Sequence, residues 1–106
     1  MISRIPLRSG APYQRFSVQL SDRRITFELR WMVQYEFFAV NLLEGSEAIT
    51  LGRGLNPGVN IIEGLNTGLG AIFLSGEQPT IKNLGISNRL LYDDEGADGR
   101  NMGQGL

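Results

Sequence analysis

Apolar and polar side chains alternate one by one from Arg15 to Trp31, and few folds can use that pattern. Phe16, Val18 and Leu20 fall on one side against Arg15, Ser17 and Gln19; Ile25, Phe27, Leu29 and Trp31 then oppose Arg24, Thr26, Glu28 and Arg30. A period of two is that of a strand with one face buried. The break between the runs, Ser21-Asp22-Arg23, has room only for a hairpin, so both apolar sets face one core. A third run, Tyr35 to Leu43, places Phe38, Val40 and Leu42 on one face and Phe37, Ala39, Asn41 and Leu43 on the other, which predicts burial on most of both faces. Glu44-Gly45-Ser46-Glu47 reads as a turn. Ala48 to Arg53, with Ile49 and Leu51 inward, is the expected return strand, completing four strands in meander order.

Glycine punctuates the second half at positions 52, 54, 58, 64, 68, 70, 76 and 85, a density helices do not tolerate. Gly54-Leu-Asn-Pro-Gly58 and Gly64-Leu-Asn-Thr-Gly68 resemble each other at a ten-residue offset, and each reads as a turn. Two such units do not make a repeat architecture. Short apolar stretches lie at Val59 to Ile62 and Leu69 to Leu74, both dominated by branched or aromatic side chains. A one-turn or irregular segment, Thr80 to Leu84, precedes a last strand, Ile86 to Tyr92. No window carries a helical apolar period with caps. The expected fold is therefore all-β, a single small barrel or sandwich of about seven short strands over residues 1–93. Residues 94–106 form an acidic, glycine-rich tail, expected to be flexible until a partner orders it.

With 106 residues the chain has length for one domain and one core. It contains no Cys and no His, which removes disulfides, thiolate nucleophiles, imidazole and thiolate metal sites, and every Ser-His or Cys-His pair. The net charge of −1 is unevenly spread: residues 1–30 carry six Arg against Asp22 and Glu28, a balance of +4, so the remainder sums to −5. Nine of the ten basic residues are Arg. A basic head and an acidic tail suit electrostatic complementarity with neighbours in an assembly. No signal peptide is evident and no apolar run is long enough to span a bilayer, so a soluble, non-secreted protein without membrane contact is expected.

Motifs that carry chemistry are incomplete. Gly52-Arg53-Gly54 and Gly68-Leu69-Gly70 supply glycine pairs, but neither completes a dinucleotide fingerprint, and Lys82 lacks the context of a phosphate-binding loop. Asp94 to Asp98 begins like a calcium loop, yet Gly96 and Gly105 stand where ligands are needed. Glu28, Glu36, Glu44, Glu47, Glu63 and Glu77 are numerous enough for paired-carboxylate catalysis, but no spacing places two together. Nucleic-acid binding is disfavoured because Phe16, Phe27 and Trp31 share the core phase, whereas Arg15, Arg24 and Arg30 lie on the opposite phase without aromatics interleaved. Neither a catalytic centre nor a cofactor or metal site is expected.

From Ile5 to Tyr92 the chain resembles the small baseplate plug proteins of contractile-tailed bacteriophages. The resemblance runs through Ile5-Pro6-Leu7, the hairpin from Phe16 to Trp31, Val40-Asn41-Leu42, Gly54-Leu-Asn-Pro-Gly-Val-Asn-Ile-Ile62, Leu69-Gly70, Leu84-Gly85 and Asn88-Arg-Leu-Leu-Tyr92. It departs on the third strand, with Phe38 and Asn41 where a tryptophan and an acidic residue are expected. The resemblance implies a non-enzymatic virion component, made in the host bacterial cytoplasm and present in several copies near the baseplate hub and the end of the tail tube. Its implied partners are hub and tube proteins, with wedge proteins as further candidates, and neither nucleic acid nor membrane. Arg8, Arg15, Arg30, Arg53 and Arg89 are the candidate interface residues, because guanidinium forks suit carboxylates on a partner. The alternative is a small β module that binds a carbohydrate or single-stranded nucleic acid, which an exposed aromatic among polar neighbours would favour.

Overall fold

The computed structural model describes residues 1–95. Residues 96–106, which hold most of the expected tail and the rest of the calcium-loop match, lie outside the described residues. Seven strands run in chain order: β1 (Ile2–Ile5), β2 (Tyr13–Leu20), β3 (Arg23–Met32), β4 (Phe37–Glu44), β5 (Glu47–Gly54), β6 (Ala71–Gly76) and β7 (Asn88–Asp93). They form two separate antiparallel sheets, β2-β3-β4-β5 and β1-β7-β6. The architecture is a sandwich; the sheets do not close into a barrel.

The alternation fixes the four-stranded meander. Register is regular along β2 and β3, from Tyr13 opposite Arg30 to Leu20 opposite Arg23. Ser21 and Asp22 turn the chain with φ of 51° and 67°, the positive pair of a two-residue hairpin whose twist matches the strands. Inward, Ile25, Phe27 and Leu29 of β3 and Phe38, Val40 and Leu42 of β4 are buried, and they share one core with Ile72, Leu74, Leu90 and Tyr92 of the smaller sheet. Phe16 stacks on Phe27 at 5.3 Å, and Trp31 meets Phe38 edge-on at 5.0 Å, both favoured aromatic geometries.

Two details differ from the expectations. Leu51 points to solvent, 64% exposed, while Ile49 packs against the core. The cause is a pair of register shifts between β4 and β5, with Gly52 at φ 74°, because an inserted residue flips the phase of its neighbours along the strand. Val59 to Ile62 is a loop beside β6, yet it buries Ile61 and Ile62 in the shared core. Asn60 holds it there, its Oδ1 accepting from the main-chain N–H groups of Ile62 (3.1 Å) and Ile72 (3.0 Å). The turn readings at Gly58 and Gly68 stand, both at φ 79°. At the start of β7, Asn88 is buried and satisfied, its Oδ1 accepting from Gly85 N–H and its Nδ2 donating to the Glu77 carbonyl.

The four sheet edges are unequal. The loop after β5 runs along β6, with Gly58 N–H donating to the Leu74 carbonyl and Ile61 N–H to that of Ile72. β5 is bulged, and β1 has only four residues. Bulges, short strands and covering loops are the devices by which natural sheets blunt their edges. β2 has none of them: its eight residues are in unbroken register with β3, and no described strand lies along its other side.

Candidate partner-binding surfaces

The outward residues of the four-stranded sheet form cross-strand rows. One row joins Tyr13, Arg30 and Ala39, and the next joins Arg15, Glu28 and Asn41. In the first, the Arg30 guanidinium sits 4.8 Å from the centre of the Tyr13 ring, a cation–π stack that holds the fork flat and leaves its donors free for a partner. In the second, Arg15 Nε lies 3.6 Å from Glu28 Oε2, an exposed pair worth little to folding. Asn41 has an internal role: its Nδ2 donates to Glu28 Oε1 (3.0 Å) and its Oδ1 accepts from Gly52 N–H (2.7 Å), tying down the β5 bulge. A carboxylate at position 41 would lack the donor for Glu28.

Tyr13 corrects the expectation that the outer arginines have no aromatic among them. β2 begins two residues before the alternation is visible, and Gln14, a polar residue on the inward phase, hides the pattern. Gln14 is nevertheless only 5% exposed, because its amide pairs with the Arg8 backbone in both directions: Arg8 N–H donates to its Oε1 (3.0 Å) and its Nε2 donates to the Arg8 carbonyl (2.9 Å). The β3–β4 turn adds Val33 and Tyr35, 76% and 69% exposed, with Tyr35 tilted against Phe37 at 6.3 Å.

The five candidate arginines do not gather in one patch. Arg15 and Arg30 share the outer face of the large sheet, and Arg89 lies exposed on β7 of the small one. Arg53 is on the core-side phase opposite Val40, with Nη2 3.4 Å from the Glu63 carbonyl. Arg8 lines an open groove of about 310 Å³ with Pro6, Leu7, Gln14 and Phe16, between β2 and the connector that precedes it. Sequence reasoning missed this groove, since its walls come from a connector and from the inward side of an edge strand.

Arg23 stands apart. It lies on the inward phase at the end of the sandwich, pairs with both oxygens of Glu44 (2.8 and 3.0 Å), and donates through Nη1 to the Thr67 carbonyl (2.6 Å). The hydrogen bond from Arg23, with its charge, holds the Glu44 carboxyl below its ordinary range. Glu44 and Glu28 are thus both engaged by neighbours. Among the described residues no three acidic side chains come together as a metal site. Among the described residues no helix is long and apolar enough to cross a membrane.

A family model described as cyanophage baseplate Pam3 plug gp18 matches residues 2–95. No curated protein matches the chain.

Proposed function

The chain belongs to the cyanophage baseplate plug family, and from that premise we propose that it is a structural component of a contractile-tail baseplate that packs near the central hub and the end of the tail tube. It works through protein contacts, without catalysis, and occupies the assembled virion in several copies after synthesis in the host cytoplasm. The observation that carries this reading is the family match, which extends over every described residue except Met1. The surface chemistry supports it: an outer face with Arg15, Arg24 and Arg30 against Glu28 suits acidic neighbours, and Arg and Tyr are favoured anchors of protein interfaces.

The test is to mix the purified chain with hub and tube proteins of the same tail and follow complexes by size-exclusion chromatography with light scattering across a salt series. A discrete complex that weakens as salt rises supports the reading. A chain that stays alone at every salt concentration overturns it.

A second reading has one observation in its favour. Tyr35, and Tyr13 stacked under Arg30, are exposed aromatics of the kind that grip a sugar ring or a base. Binding to a glycan array or a single-stranded oligonucleotide, with loss on Tyr35→Ala, would establish that reading in place of the first.

A further inference from the structure

We infer that the free edge of β2 is a strand-docking site, taken up in the assembly by an extended segment of a neighbouring tail protein that is apolar at alternate positions and carries carboxylates between them. The inference deepens the baseplate reading and rests on it. The first support is backbone chemistry. Trp31 N–H donates to the Pro12 carbonyl at 2.7 Å, which sets the phase of the β2–β3 ladder. Residues 14, 16, 18 and 20 then exchange main-chain bonds with β3, and the N–H and C=O groups of Tyr13, Arg15, Ser17 and Gln19 point the other way. Among the described residues no backbone group meets them. An incoming strand satisfies donors and acceptors that otherwise depend on water.

The second support is the contrast with the other edges, of which one is covered, one bulged and one four residues long. β2 alone is long, regular and free of proline. The third is what flanks it. On the inward side the groove of about 310 Å³ presents Leu7 and Phe16, with Arg8 at its rim, and takes the apolar side chains of an added strand. On the outward side Arg15 lies in line with the edge, with Arg24 and Arg30 on the next strand against the single acid Glu28, so carboxylates are the matching chemistry there. Side chains of a strand alternate between its two faces, so one extended segment meets both requirements.

The experiment places p-benzoylphenylalanine at Arg15, Ser17 or Gln19 of the full chain, assembles tails with it, irradiates them and maps cross-linked peptides by mass spectrometry. A docked strand gives one partner segment on which the captured residue moves by two as the probe moves by two. Tails that contain the chain but give scattered cross-links, none, or cross-links from β2 to β2 of a second copy overturn the docking site and leave the baseplate role intact. Absence of the chain from tails overturns the baseplate role and the docking site with it. As a second measurement, Ser17→Pro removes an outward N–H that no described group uses. It is expected to keep the far-ultraviolet dichroism of the fold and lower incorporation into tails at least tenfold; unchanged incorporation overturns the inference.

Discussion

The hydroxyl of Ser21 lies 2.7 Å from the phenol of Tyr92, 71 residues away in sequence. One belongs to the first hairpin's turn, the other to the central strand of the small sheet, and the Tyr92 ring is itself buried in the shared core. This contact joins the two sheets at one end. Tyr92→Phe keeps the ring and deletes the bond. It is expected to cost about 1 kcal/mol in urea denaturation, the usual net worth of such a bond, and a loss indistinguishable from zero would show that water replaces the phenol freely.

The same turn is open to improvement. Asp22 adopts φ 67°, a conformation that Asp tolerates better than most residues but that glycine adopts without strain. Asp22→Gly is expected to raise stability by up to about 1 kcal/mol, part of the gain being offset by the freer unfolded chain. The urea midpoint should rise at constant slope.

Acid should loosen the end of the sandwich that Arg23 and Glu44 close. The carboxyl of Glu44 is held below its ordinary value in the folded chain. Its contribution is therefore full above the unfolded glutamate value of about 4.3 and is lost as pH falls through the lowered folded value. Carboxyl chemical shifts should report Glu44 titrating below its ordinary range, and Arg23→Gln should return it there. No return would mean that Arg23 is not the cause.

Gly70 is where two backbones cross. A methyl group at this position would overlap the Asp93 carbonyl oxygen and crowd Asp94, and main chain cannot swing aside as a side chain does. Gly70→Ala is expected to cost about 1–3 kcal/mol, the range of an overpacked core, and to register as a lowered thermal midpoint. Gly10→Ala, where nothing lies within 4 Å, suffers only the strain of its positive φ and serves as the comparison.

Arg15→Ala and Arg30→Ala should leave the isolated fold standing. Their contacts, an exposed ion pair and a surface stack, contribute little to folding. Together the two changes are expected to weaken binding to hub or tube proteins and flatten its salt dependence. Unfolding of the double variant would show that the outer face is structural.

The large sheet is legible in the sequence because alternation is a local signal: each residue of β3 from Arg24 to Trp31 states its face through its own chemistry, and only the ends, inward Arg23 and outward Met32, do not. Leu51 is misread because the β5 bulge is held by Asn41 of another strand, and a non-local bond leaves no trace in a local period. Tyr13 escapes notice because inward Gln14 breaks the pattern, its burial made tolerable by a backbone at Arg8 that the sequence does not place. Barrel and sandwich are inseparable by pattern for a related reason. The glycine-rich half folds through loop-to-strand bonds such as Asn60 to Ile72, and these decide where the small sheet ends. For the arginines, phase alone assigns Arg15 and Arg30 to one face, whereas Arg8, Arg53 and Arg89 are dispersed by topology.

The inequality of the sheet edges gives this chain a directional valence. A protein with two sticky edges polymerises, each copy offering the next a template, and the product has no natural length. With the β6 edge covered, the β5 edge bulged and β1 short, a copy that is joined along β2 has, among the described residues, no comparable edge left to pass on. Such a subunit is a terminator. Concentrated alone, it offers at its described edges other than β2 no long, regular template for an endless ribbon, and a sheet extended along β2 would stop growing there.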